Sequence, residues 1–145
     1  MFKKYNKNAI YIIAEIGGNF TTLEEAKLLI DLAVECKVDA IKLQTYRAET
    51  HVSNMAMFNM ENVGETNQLE LLQQLEVSED LHKSVFDYTK TKDLDWFSTP
   101  SHWTDVELLE ELNVGAYKLG SDDATNIPFL KRIAGLGKPM IVSTG

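Results

Sequence analysis

The sequence predicts an α/β fold, the first five strands and four helices of a TIM (β/α)8 barrel, and three observations carry that reading. Short apolar runs rich in β-branched residues alternate with longer segments of helical period, which describes parallel strands joined by helical crossovers. Polar side chains recur near the C-terminal ends of those strands, at Lys42, Gln44, Thr99, Lys118 and Ser143. The length of 145 residues allows one domain with one core, so the elements belong to a single sheet.

The elements follow in order. Ala9–Ile16, Ala40–Thr45, Asp95–Ser98, Ala116–Leu119 and Pro139–Ser143 read as strands. A helix from Leu23 to Cys36 aligns Ala26, Leu29, Ile30, Ala33 and Val34 on one face, and Thr22 with Glu25 forms its capping box. Ser78 caps a helix over Glu79–Thr91 that uses Leu81, Val85 and Tyr88. A third helix, near Asp105–Leu112, is expected to start at a Thr104/Glu107 capping box and to stop at Asn113 or Gly115. The fourth begins at Asn126, accepts Pro128 in its first turn and ends at Gly135 or Gly137.

Between Tyr46 and Val77 lies a connection too long for a simple αβ loop, with a short helix expected over Leu69–Leu75. The run Met55–Met60 admits two readings, a flexible lid or apolar filler beneath the loop. Filler is the preferred one, because methionine packs irregular gaps well.

Five parallel strands fit either a complete doubly wound sheet or the opening part of a barrel, and length alone favours the sheet. Strand chemistry decides for the barrel. Alternation puts Ile41 and Leu43 on one face with Lys42 and Gln44 on the other, and Tyr117 and Leu119 opposite Lys118 and Gly120. Tyr11, Ile13 and Glu15 likewise share a face. A doubly wound sheet is covered by apolar helices on both faces and leaves such lysines no favourable place. At the C-terminal mouth of a barrel they face substrate.

Two ammonium groups with the hydroxyls of Thr99, Ser121 and Ser143 suit a small phosphorylated or carboxylated anion. Glu15 and the Asp122–Asp123 pair can handle protons or a sugar's hydroxyls. The two aspartates have a rival role, because a carboxylate before the helix at Asn126 is favourable there without any function. Lys42 or Lys118 standing alone has the plainer reading of an edge lysine reaching to water.

Composition removes other classes. With 14 basic and 22 acidic residues the formal net charge is −8, which argues against a nucleic-acid binder or a protein held on anionic lipid. The single cysteine, Cys36, excludes a disulfide framework and reads as a small packing residue at a helix end. No apolar run approaches the ~20 residues that span a bilayer, and the start resembles no signal peptide, so the expected location is cytoplasmic. His51, His82 and His102 stand 31 and 20 residues apart and do not form a metal site by themselves. Gly17-Gly18-Asn19 matches no phosphate-loop or dinucleotide fingerprint and reads as a βα turn.

The ordered set Ile13-Ala14-Glu15-Ile16-Gly17-Gly18-Asn19, Ala40-Ile41-Lys42-Leu43-Gln44-Thr45-Tyr46, Phe97-Ser98-Thr99-Pro100, Tyr117-Lys118-Leu119-Gly120-Ser121, and Thr125-Asn126 through Gly137-Lys138-Pro139 to Ser143-Thr144-Gly145 resembles the N-acetylneuraminate (sialic acid) synthases of the NeuB type, with their legionaminate, pseudaminate and spore-coat relatives. The resemblance implies condensation of phosphoenolpyruvate with an N-acyl amino sugar such as N-acetylmannosamine, releasing phosphate. It implies that Lys42, Thr99, Lys118, Ser121 and Ser143 hold phosphoenolpyruvate, that Gln44 and Glu15 face the sugar, and that Asp123 lies near the attacking water. A divalent metal, Mn or Mg, is implied as cofactor, with ligands outside this chain.

Two departures stand out: Phe20 replaces the histidine usual after the first-strand asparagine, and Asp122 replaces a small residue. By the same resemblance, residues 1–145 form the N-terminal part of the barrel, without its last strands and without the small C-terminal antifreeze-like domain. A homo-oligomer, or association with the missing part of the barrel, is therefore expected. Two alternatives remain open: a Schiff-base aldolase using Lys42 or Lys118, and a non-catalytic half-barrel module.

Overall fold

The computed structural model describes residues 4–61 and 64–145. Its elements are β1 (Ile13–Glu15), α1 (Leu23–Glu35), β2 (Ala40–Thr45), α2 (Ala48–His51), β3 (Met57–Met60), β4 (Gly64–Asn67), α3 (Gln68–Leu75), α4 (Glu79–Lys90), β5 (Asp95–Pro100), α5 (Trp103–Glu111), β6 (Tyr117–Leu119), α6 (Ile127–Ala134) and β7 (Met140–Val142). Five strands form one parallel sheet in the order β1-β2-β5-β6-β7, and β3 and β4 form a separate antiparallel hairpin.

Helices cover one face of the sheet, and this separates the barrel architecture from a doubly wound one. Ile41, Leu43, Tyr117 and Leu119 point outward and pack with Ala26, Ile30 and Ala33 of α1, Val85 and Phe86 of α4, Val106 and Leu109 of α5, and Ile133 of α6. The other face carries a small apolar layer of Ala40, Phe97 and Ala116, with Tyr11 and Ile141 against it. Alternation then places Lys42, Gln44, Thr99, Lys118 and Ser143 on the same inner face, one or two positions nearer the strands' C-terminal ends. Apolar at the base and polar at the mouth, the inner face has the polarity expected of a barrel.

Local chemistry explains where the helices begin. Thr22 Oγ1 accepts from Glu25 N at 3.3 Å and the Glu25 carboxylate accepts from Thr22 N at 3.1 Å, the expected capping box of α1. Ser78 caps α4 through Leu81 N, and Asn126 caps α6 with Pro128 in the first turn. The start of α5 differs from expectation. His102, not Thr104, is the N-cap, and Asp105, not Glu107, closes the box by accepting from Ser101 N at 3.1 Å and His102 N at 2.8 Å. The buried Asp105 carboxylate thereby satisfies two amide donors that a Thr104 cap would leave open.

Other expectations are corrected. The first strand is confined to Ile13–Glu15, because its pairing with β2 starts at Ala40, the first residue of that strand, opposite Ile13. Cys36 is exposed at the C-cap of α1 and is not a packing residue. The Met55–Met60 run is not filler: Met55, Met57 and Phe58 are exposed in or just before the β3–β4 hairpin, and the Met60 side chain lies outside the described ones. Phe20 is buried in the main core beside Ile16.

Candidate functional site

A cleft of about 170 Å³ opens at the C-terminal ends of the strands, lined by Lys42, Gln44, Tyr46, His51, Leu72, Thr99, Ser101, Lys118, Gly120 and Asp122. Four expected residues, Lys42, Gln44, Thr99 and Lys118, line it directly. Two more reach it through partners. Glu15, opposite Lys42 in the β1–β2 register, forms an ion pair with the Lys42 ammonium. Ser143 accepts a hydrogen bond from Lys118 Nζ at 2.6 Å.

The remaining two lie aside. Ser121 is exposed and its carbonyl accepts from Ala124 N in the turn after β6. Asp123 stands before α6, where its Oδ1 accepts from Asn126 Nδ2 at 3.3 Å and its carbonyl from Asn126 N at 2.9 Å. Of the two neighbouring aspartates, Asp122 rather than Asp123 lines the cleft.

The turn after β1 fixes Glu15. Gly17 N donates to Glu15 Oε1 at 2.9 Å, and a Cβ at position 17 would lie 2.6 Å from the Gln44 backbone nitrogen. Only glycine allows the chain to pass so close to β2. Gly18, at φ +74°, completes the turn.

Electrostatics single out Lys118. Burial, together with the Lys42 ammonium, pushes its pKa below the ordinary lysine value, against the opposing pull of Asp122 and Glu15. Its protons go to Ser143 Oγ and the Leu119 carbonyl, the latter also at 2.6 Å. Thr99 Oγ1 is buried and has no hydrogen-bond partner among the described residues. A buried hydroxyl without a partner is costly and rare, so its position in a cleft between two ammonium groups marks a place for a ligand oxygen.

Sequence reasoning did not place Tyr46, His51, Leu72 and Ser101 in the cleft. The Tyr46 and His51 rings lie 5.5 Å apart, brought together by the short helix α2, which carries no apolar period to announce it. A larger cavity of about 260 Å³ sits between the starts of α4 and α5, but its polar groups serve one another. Arg47 pairs with Glu79, Asp105 holds two backbone amides, and His82 bonds Thr45 Oγ1 at 3.1 Å and the Gln44 carbonyl at 3.2 Å. Among the described residues no group of three or more His, Cys, Asp or Glu side chains is placed to hold a metal ion. The implied Mn or Mg ion therefore finds no ligand set in them. No helix among the described residues is long and apolar enough to cross a membrane.

Similarity to known proteins extends over most of the chain. The model of the NeuB family matches residues 29–145. The N,N'-diacetyllegionaminic acid synthase of Campylobacter jejuni is 35% identical over 139 residues, covering 92% of this chain and 42% of that protein. The N-acetylneuraminate-9-phosphate synthase of Homo sapiens is 32% identical over 139 residues, covering 93% and 39% respectively. The crystal structure of N-acetylneuraminic acid synthetase from Leptospira borgpetersenii has a TM-score of 0.80 at 29% identity, covering 95% of this chain and 45% of that one. The chain thus spans about two fifths of the length of the curated relatives it matches. With the family model covering most of its residues and the sheet superposing on a synthase barrel, the chain belongs to the NeuB family.

Proposed function

We propose that this chain supplies the phosphoenolpyruvate-binding half of a cytoplasmic nonulosonic acid synthase, which joins phosphoenolpyruvate to an N-acyl amino sugar such as N-acetylmannosamine. In that reaction C3 of phosphoenolpyruvate bonds to the sugar's carbonyl carbon, water adds at C2 and phosphate leaves. The observation that carries the reading is the convergence of Lys42, Lys118 and the unpartnered Thr99 hydroxyl on one cleft. Two ammonium groups stabilise the phosphate and the charge that develops as it departs, and a preorganised donor set does so at little reorganisation cost. Relatives named as synthases of legionaminic acid, N-acetylneuraminate-9-phosphate and pseudaminic acid support the reaction class.

In this reading Gln44 and the Glu15 carboxylate, the latter fixed by Gly17 N and Lys42, face the sugar. Asp123, whose Oδ1 accepts from Asn126 Nδ2 at the entry to α6, is in this reading the carboxylate near the attacking water. No step is assigned to a metal ion, since the described residues offer it no ligand set.

The depressed pKa of Lys118 gives one specific ground for a second reading, an aldolase with Lys118 as Schiff-base nucleophile. Calorimetric titration with phosphoenolpyruvate tests the first reading. Saturable binding that is lost in a Lys42→Ala, Lys118→Ala double variant supports it. Absence of binding by a chain that still melts cooperatively refutes a preformed anion site. Pyruvate trapped on Lys118 by borohydride would establish the second.

A further inference from the structure

Among the described residues that line the cleft Asp122 is the one carboxylate, and neither reaction role above uses it. Its position is built. A Cβ placed on Gly120 would lie 2.0 Å from Asp122 Oδ1, so the carboxylate occupies space that any side chain at 120 would fill. No hydrogen bond or close ion pair to another described residue engages it. Gly120 follows Lys118 on the inner face of the same chain segment, so a negative charge stands above an ammonium group without closing onto it.

The geometry points to Asp122 as the residue that sets the charge selectivity of the cleft: its carboxylate reserves the Gly120 side for neutral hydroxyl or amide donors and penalises a further negative charge there. This rests on the function proposed above and deepens it. Phosphoenolpyruvate then lies toward Lys42 and Thr99, and the acceptor presents hydroxyl or amide hydrogens to Asp122. An acceptor that brings its own phosphate to that side meets like-charge repulsion, so the acceptor class is an unphosphorylated amino sugar.

The test is calorimetry with inorganic phosphate and with phosphoenolpyruvate on the full chain, its Asp122→Asn variant and its Lys118→Ala variant. Asp122→Asn keeps shape and removes charge at an exposed position, so the fold is expected to survive. Affinity for either anion is expected to rise about tenfold in Asp122→Asn, the size of one unit charge acting over roughly 6 Å in a partly hydrated cleft. Added salt should shrink that gain. Unchanged or weaker anion binding in Asp122→Asn, with binding lost in Lys118→Ala, overturns the role of Asp122 and leaves the functional reading standing. No anion binding by any of the three overturns both. A ligand-free readout is the ¹³Cε titration of Lys118. Asp122 favours its ammonium form, so Asp122→Asn should lower that pKa further, and an unmoved titration also overturns the proposal.

Discussion

Lys118 Nζ donates to Ser143 Oγ at 2.6 Å, a bond that links β6 to the residue just beyond β7 and orients the ammonium into the cleft. Hydrogen bonds to a charged group contribute about 1.5–3 kcal/mol. Ser143→Ala should therefore loosen the lysine and weaken phosphoenolpyruvate binding by about tenfold. It should also lower the Lys118 pKa, because an acceptor for the ammonium form is lost. Calorimetry and ¹³Cε shifts check the two effects separately.

Thr99→Val separates stability from function. The Thr99 hydroxyl is buried without a partner among the described residues. Replacing it by a methyl of similar shape should leave stability unchanged or raise it by up to ~1 kcal/mol. Anion affinity should fall, because the ligand loses its hydroxyl donor. Urea unfolding beside calorimetry measures both; a loss of stability with affinity intact would mean that the hydroxyl is structural.

Gly17→Ala should disturb the turn after β1. The added Cβ meets the Gln44 backbone nitrogen at 2.6 Å, and backbone cannot give way as a flexible side chain does. Overpacking of this kind costs about 1–3 kcal/mol. The shift should also break the Gly17 N–Glu15 hydrogen bond, which holds the carboxylate that pairs with Lys42. A reduced urea midpoint together with weaker anion binding is the expected result.

His82 makes stability depend on pH. Burial pushes its pKa below the ordinary value of 6.5, outweighing the backbone carbonyls of Ser78, Val77 and Gln44 that favour the charged ring. The folded state thus prefers the neutral ring, and the unfolded chain takes up a proton first as pH falls. The contribution is complete above pH 6.5 and is lost as pH drops through 6.5 toward the lower folded value. Asp105, whose pKa burial raises, works in the opposite sense at lower pH. Thermal melts between pH 7.5 and 5 should show a falling Tm, with the slope flattened in His82→Gln.

Much of the barrel is legible in the sequence because the information is periodic. Lys42 and Gln44 inside an apolar strand place their face at the mouth before any coordinate is known, and Thr22/Glu25, Ser78 and Asn126 mark three helix starts correctly. What escaped is set by tertiary neighbours. The β3–β4 hairpin carries neither alternation nor a buried face, so its Met-Phe-Asn-Met strand looks like filler. His102 caps α5 because Asp105 is buried close enough to take two amides, a preference that local pattern does not encode. That Asp122 rather than Asp123 lines the cleft depends on the missing side chain of Gly120, two residues away.

The strand order β1-β2-β5-β6-β7 has a further consequence, for how the chain comes to be folded. Each sheet strand pairs with the sheet strand made immediately before it, and the hairpin closes on itself. Every pairing within this sheet can therefore form as soon as its later strand leaves the ribosome. Each of those pairings spans a whole crossover, β2 with β5 most of all, so the sheet grows strand by strand while every parallel pairing remains a slow, non-local step.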